Sequence, residues 1–233
     1  MSMIEFRNVT KEYDLGEKKL LAADKISFTI EEGEFVVILG PSGAGKSTVL
    51  NLLGGMDYAS SGEILVKGKN IAAYDDDKLT RYRATEVGFI FQFYNLIPTL
   101  TEFENVALTR NIVKNALDPA SVLDAVGLRD HLDKFPSQLS GGEQQRVSIA
   151  RAVCKNPAML LCDEPTGALD SETGVVILEL LQRMSREEHK TVIIVSHNAS
   201  LAQAADKVIR IKNGRITEIT INAEPLKVSE VSW

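Results

Sequence analysis

Gly40-Pro41-Ser42-Gly43-Ala44-Gly45-Lys46-Ser47-Thr48 lies between two apolar runs of different character. Phe35-Val36-Val37-Ile38-Leu39 before it reads as a buried strand, and Val49-Leu50-Asn51-Leu52-Leu53 after it reads as the start of a helix. A strand, a glycine-rich turn and a helix in that order make a phosphate loop. Glycines at 40, 43 and 45 let successive backbone N–H groups turn inward toward an anion, and the helix adds the positive end of its dipole. In this reading Lys46 reaches the β- and γ-phosphates of a nucleotide and the Ser47 hydroxyl ligates Mg²⁺. With glycine at about 7% of residues, the pattern G-x-x-x-x-G-K-[ST] arises by accident on the order of once in a hundred chains of this length. An ordinary glycine-rich turn is therefore a poor alternative.

Working outward, the 233 residues suffice for one sizeable α/β domain with its own core, or for one domain carrying an inserted lobe. A composition of 44% hydrophobic and 25% charged residues is that of an ordinary globular protein. The net charge of −6, with Lys and Arg scattered, provides no basic stripe and argues against nucleic acid as a partner. Cys154 and Cys162 form no C-x-x-C pair and sit in apolar segments, so they read as small buried hydrophobes in a reducing compartment. The opening Met1 to Arg7 lacks the basic and apolar regions of a signal peptide, so export by that route is not expected. The longest apolar runs are far below the ~18 residues needed to cross a bilayer, and any role at a membrane is expected through a partner.

Along the chain, Ile4-Glu5-Phe6 and Ile26-Ser27-Phe28-Thr29-Ile30 alternate as half-buried antiparallel strands do. Tyr13, in the polar stretch between them, can stack on a base or simply anchor a loop. After the first helix, Ser60-Ser61-Gly62 and Lys67-Gly68-Lys69-Asn70 bracket a further antiparallel strand. Val87 to Phe91 is a strand that ends at Gln92. From residue 93 to 157 the signals are helical: Thr101 and Glu104 fit a capping box, and Asp118-Pro119 opens a helix that Gly127 stops. This stretch reads as a helical subdomain inserted into the α/β core. Ser140-Gly141-Gly142-Glu143 then reads either as a capping box alone or as a second anion site at a helix start.

Met159 to Cys162 delivers Asp163-Glu164 at the end of an apolar strand. Two adjacent carboxylates placed there suit metal-assisted phosphoryl transfer: Asp163 holds Mg²⁺, and Glu164, pointing to the other side, orients or deprotonates a water. Asp170 caps a helix from Ser171 to about Arg186. Thr191 to Val195 is another buried strand, ending in Ser196-His197 where open α/β sheets bind ligands. Asn213-Gly214 makes a hairpin, and residues 222–233 carry no period and read as a peripheral tail.

Together these pieces resemble the ATP-binding subunits of ABC transporters over nearly the whole chain. The most specific element is Leu139-Ser140-Gly141-Gly142-Glu143-Gln144-Gln145-Arg146, which is similar to the family's signature sequence. The resemblance implies a P-loop core with a mostly parallel sheet, an N-terminal antiparallel β subdomain and an inserted helical subdomain, all in one ATP-binding domain spanning 1–233. It implies ATP and Mg²⁺ as cofactors. Tyr13 would stack on adenine, while Gly40, Ser42, Gly43, Gly45, Lys46, Ser47 and Thr48 would form the Walker A loop. Gln92 would touch Mg²⁺ and sense the γ-phosphate, Asp163 would be the Walker B aspartate and Glu164 the catalytic base. Asp170 would communicate across a dimer and His197 would contact the γ-phosphate. In this family two copies sandwich two ATP molecules, so Ser140 and Gly142 would address the nucleotide held by the partner.

Leu53-Gly54-Gly55-Met56-Asp57, Tyr94-Asn95-Leu96-Ile97-Pro98-Thr99-Leu100 and Thr166 to Asp170 resemble the branch serving macrolide export, lipoprotein release, peptide resistance and cell division. Phe93, where a second glutamine is frequent, and Asn198, where aspartate is usual, depart from the pattern. The implied partners are a second copy of the chain, an integral membrane permease and an accessory extracytoplasmic protein. The implied place is the cytoplasmic face of a bacterial cell membrane. The same nucleotide chemistry would serve a regulatory ATPase whose membrane partner transports nothing. A DNA-repair ATPase would need a long coiled-coil insertion between the Walker motifs, and none is present. Phe93, Tyr94, Leu96 and Ile97 are expected to form an exposed apolar cluster that receives a short helix of the membrane partner.

Overall fold

In the computed structural model, which describes residues 2–14, 16 and 18–232 and their side chains except that of His131, the apolar run before the glycine loop is a strand, β3 (Phe35–Leu39), buried at every residue. Strand alternation divides its side chains. Phe35, Val37 and Leu39 join one hydrophobic core, while Val36 and Ile38 join another on the opposite face. β3 lies inside a six-stranded sheet of order β10-β9-β3-β8-β7-β6. Its companions are β6 (Val87–Phe91), β7 (Met159–Asp163), β8 (Thr191–Ser196), β9 (Lys207–Lys212) and β10 (Arg215–Ile221). All pair in parallel except β10, which returns from β9 through Asn213-Gly214. Both turn residues have positive φ, 50° and 74°, as a tight hairpin requires.

A second, antiparallel sheet of order β2-β1-β4-β5 covers one face. The two short strands expected near the N-terminus are parts of 13-residue strands, β1 (Ser2–Asp14) and β2 (Lys19–Glu31). Shifts in register let their pairing run on into polar sequence. Tyr13 is consequently on a strand, not in the loop that its polar neighbours suggested. α1 (Lys46–Leu53) packs between the two sheets, its Val49, Leu50, Leu52 and Leu53 all buried in the second core. β4 (Ser61–Val66) and β5 (Lys69–Asn70) complete the small sheet. α2 (Asp76–Thr85) was not legible in the sequence: it is polar, capped by Asp75, and buries only Leu79 and Tyr82.

Between β6 and β7 the regular structure is helical. α3 (Glu102–Ala107) has the expected Thr101–Glu104 capping box, and α4 (Pro119–Ala125) opens on Asp118. α5 (Gly141–Cys154) opens on the Ser140–Glu143 box. α6 (Ser171–Arg186) is capped by Asp170 and packs beside α5 on the first core. Residues 222–233, expected at the periphery, put Val228 and Val231 into that same core. The Val228 N–H donates to Gln182 Oε1 at 3.0 Å; Trp233 lies outside the described residues. Both cysteines are buried and free, and among the described residues no helix is long and apolar enough to cross a membrane.

Candidate active site

Because β3, β7 and β8 run in parallel, their C-terminal ends meet at one edge of the sheet, and the chain segments leaving them line a cleft of about 900 Å³. The loop from β3 to α1 forms one wall. Gly45, with φ 99°, is the N-cap of α1 and offers no side-chain cap. A Cβ there would also lie 2.2 Å from the Ala22 carbonyl oxygen, so both backbone angle and space select glycine. Gly40 is required for a different reason than an inward turn: a Cβ would meet the Ile211 carbonyl oxygen at 2.2 Å. The first N–H groups of α1 have no intrahelical acceptor and are therefore free to bind an anion. The Lys46 ammonium sits beside them, mostly buried, donating to the carbonyls of Gly40 at 2.8 Å and Pro41 at 3.0 Å.

Ser47 Oγ donates to Asp163 Oδ1 at 3.1 Å, bringing the start of α1 to the end of β7. Burial, then the neighbouring Glu164, push the Asp163 carboxyl up, against the bond from Ser47 and the charge of Lys46. The hydroxyl and carboxylate suit Mg²⁺, a hard cation bound by one or two carboxylates with substrate phosphates completing its shell. Glu164 has a left-handed backbone, φ 49°, a strain of order 1–3 kcal/mol for a residue with a side chain. That turn separates its side chain from Asp163 and directs it to His197, whose Nδ1 lies 3.0 Å from Glu164 Oε1. Ser196 Oγ donates to the other oxygen at 3.4 Å. Gln92 lines the same cleft, its amide packed against Gly167.

Tyr13 is on the cleft wall with Ser42, Gly43 and Thr48. Its hydroxyl donates to Asp57 Oδ2 at 2.6 Å, and the Lys11 ammonium stands 4.7 Å over its ring. Burial raises the Asp57 carboxyl, but hydrogen bonds from Lys11, Tyr13 and the Tyr58 N–H outweigh it and hold the group below the usual carboxylate range. Sequence reasoning missed this support, and also missed that Leu20 to Ala22 of β2 and the Asn213-Gly214 turn line the cleft. No local signal marks a strand that contributes by proximity alone.

Ser140, Gly142 and Asp170 are not among the residues lining the cleft. They gather where α5 and α6 begin. Ser140 Oγ accepts from the Glu143 N–H at 3.3 Å, and Asp170 Oδ2 accepts from Thr173 Oγ1 at 2.8 Å. A Cβ on Gly142 would fall 2.2 Å from Thr173 Cγ2, so the two helix starts are in close contact. At this helix start Ser140 is exposed and Gly142 is buried.

The family described as ABC transporter matches residues 23–167. An uncharacterized ABC transporter ATP-binding protein of Methanocaldococcus jannaschii, MJ0796, is 43% identical over 223 residues, covering 92% of this chain and 95% of that protein. A solved dimeric structure of MJ0796 superposes with a TM-score of 0.86 at 42% identity, over 94% of this chain and 98% of that one. A second, described as a post-hydrolysis state bound to ADP and Pi, also has a TM-score of 0.86, at 40% identity with the same coverage. The macrolide export ATP-binding/permease protein MacB of Syntrophobacter fumaroxidans is 40% identical over 93% of this chain, which spans 31% of that longer protein. With more than half its length matched by the family and about two fifths of its residues shared with such relatives almost end to end, the chain belongs to the ATP-binding subunits of ABC transporters.

Proposed function

We propose that the chain binds ATP in the cleft, closes with a second copy around two ATP molecules, and hydrolyses them to drive a separate integral membrane permease of an export system. The observation that carries this reading is the separation of Ser140 and Gly142 from the chain's own cleft, with Ser140 exposed at the start of α5 and Gly142 buried behind it against Thr173. A second copy turned about a twofold axis would bring each helix start to the other's nucleotide. The relatives support it: MJ0796 has been solved as a dimer, and MacB joins ATP-binding and permease functions in one protein. Association with the permease puts the chain at the cytoplasmic face of the membrane. An accessory extracytoplasmic protein would act through the permease.

In the reaction, Lys46 and the N–H groups at the start of α1 hold the phosphates, and Tyr13 carries the adenine. Ser47, Gln92 and Asp163 would hold Mg²⁺, which would offset phosphate charge. Glu164 accepts the proton of the water that attacks the γ-phosphate, the bond to the β-phosphate oxygen breaks, and ADP leaves. His197, hydrogen-bonded to Glu164, orients that carboxylate and reaches the γ-phosphate. Asp170, beside the start of α5, relays between the two copies.

Glu164→Gln tests the reading. Glutamine keeps the size but accepts no proton, so hydrolysis should fall by ~10²- to 10⁴-fold. ATP binding should survive, and light scattering should show an ATP-dependent dimer that persists, where wild type is monomeric or only transiently dimeric. Turnover at the wild-type rate, or a variant that stays monomeric at saturating ATP, would overturn it.

A further inference from the structure

Gln145, five residues along α5 from Ser140, is fully buried and takes no part in the reaction described above. Its amide nitrogen reaches two backbone carbonyls beneath the cleft, Pro165 at 2.9 Å and Phe91 at 3.3 Å. Each acceptor adjoins a residue of the cleft: Pro165 follows Glu164, and Phe91 precedes Gln92. The oxygen of the same amide has no hydrogen-bond partner among the described residues. A position that required only volume would be filled by Leu or Met without leaving a buried acceptor unpaired. What the glutamine supplies instead is a pair of donated bonds to two strand ends.

Glu164 is where such bonds matter. Its left-handed backbone persists only if its surroundings over-determine it. The bonds that do so are few. The Glu164 N–H donates to the Val195 carbonyl at 3.0 Å, and its own carbonyl accepts from the Gly167 N–H at 3.0 Å. Pro165 has no N–H to contribute, so its carbonyl is the handle that remains, and α5 holds it. The same helix holds the segment after Gln92, because the Arg151 guanidinium donates to the carbonyls of Asn95 at 2.8 Å and Tyr94 at 3.0 Å. The Tyr94 hydroxyl in turn packs against Gly141. The helix start that would meet another copy's nucleotide is therefore about 7 Å of helix away from the amide that grips both strand ends.

We propose that Gln145 is a positioning residue that ties the strand ends bearing Gln92 and Glu164 to α5, so that seating Ser140 and Gly142 on a second copy's nucleotide sets the Glu164 carboxylate in the chain's own cleft. The link rests on the reading of the cleft as an ATP-hydrolysing site. Two variants of the full chain test it. Gln145→Met keeps length and packing but donates nothing; Gln145→Glu keeps the outline and turns an acceptor toward two carbonyls. ATP affinity by titration should stay within about twofold of wild type, since Lys46 and α1 are untouched, while kcat should fall by about tenfold or more, as expected for losing two such bonds. KM should change little. In a Glu164→Gln background, Gln145→Met should still allow the ATP-dependent dimer, separating positioning from assembly.

Wild-type kcat in either folded variant overturns the link. So does a parallel loss of ATP affinity and kcat, or loss of the dimer, since either would make Gln145 a packing or assembly residue. If Gln145→Met does not fold by thermal melt, Gln145→Glu decides by the same criteria, and failure of both to fold assigns the residue to the core and overturns the link as well. Wild type without turnover, or turnover that survives Glu164→Gln, overturns the reading of the cleft instead.

Discussion

Lys46 and Glu102 are both charged side chains taken out of water, and their surroundings set opposite expectations. The Lys46 ammonium rests on two loop carbonyls, ready for a stronger acceptor. Lys46→Ala should weaken ATP binding by roughly 10- to 100-fold, the equivalent of the 1.5–3 kcal/mol typical of a hydrogen bond to a charged group. Nucleotide titration measures this, and unchanged affinity would sink the Walker A assignment. Glu102, at the start of α3, is fully buried, and neither carboxylate oxygen has a hydrogen-bond partner among the described residues. Burial first, then the Glu143 carboxylate, push it up from 4.5 to about 7, against the charges of Lys134 and Arg146. An acid whose pKa rises on folding binds more protons in the native chain than in the unfolded one. Its contribution therefore destabilises progressively as pH climbs from about 4.5 to about 7. Glu102→Gln should raise stability at pH 8, by at most about 3 kcal/mol, with the gain fading toward pH 5. Urea melts at the two pH values check it; an equal change at both would assign the effect to packing. Lys46 was legible because its motif is local. Glu102 was not, since nothing in Thr101-Glu102-Phe103 reveals that the carboxylate points inward.

At the scale of elements, the capped helices were the most legible part. Thr101, Asp118, Ser140 and Asp170 each cap the helix that their spacing announced, because a cap and its N–H partner are within three residues of one another. The segment after β6 was less so. The apolar cluster expected to face outward divides in the fold: Leu96 packs on the first core and Tyr94 against Gly141, leaving Phe93 (73% exposed) and Ile97 (41%) at the surface. The surface expected to receive a permease helix would thus narrow to these two side chains, of which Phe93 also lines the cleft. Ile97→Arg, at an exposed position away from the cleft lining, should leave basal hydrolysis of the isolated chain within about twofold, since exposed substitutions rarely disturb a core. It should abolish stimulation by the membrane partner in reconstituted vesicles. If basal activity and stimulation fell together, Ile97 would be a packing residue and not part of the docking surface.

For the molecule as a whole, closure of the first core depends on a segment with no periodic signal. Val228 and Val231 reach that core from beyond the last strand, and Gln182 on α6 receives the Val228 N–H. Val228→Ala should cost about 1–3 kcal/mol in chemical denaturation, the range for removing buried methyl groups. A change below about 0.5 kcal/mol would return the tail to the periphery. The sequence by itself determined the nucleotide loop, the paired carboxylates, the helix caps and the family, because each is written within a few consecutive residues whose chemistry depends on backbone neighbours. Only the tertiary structure decided that Asp57 holds Tyr13, that Ala22 and Ile211 forbid side chains at Gly45 and Gly40, and that Gln145 grips the strand ends at the cleft. Those contacts join residues from 20 to more than 170 positions apart, and their partners are chosen by how two sheets and a helix pack, which no local pattern encodes.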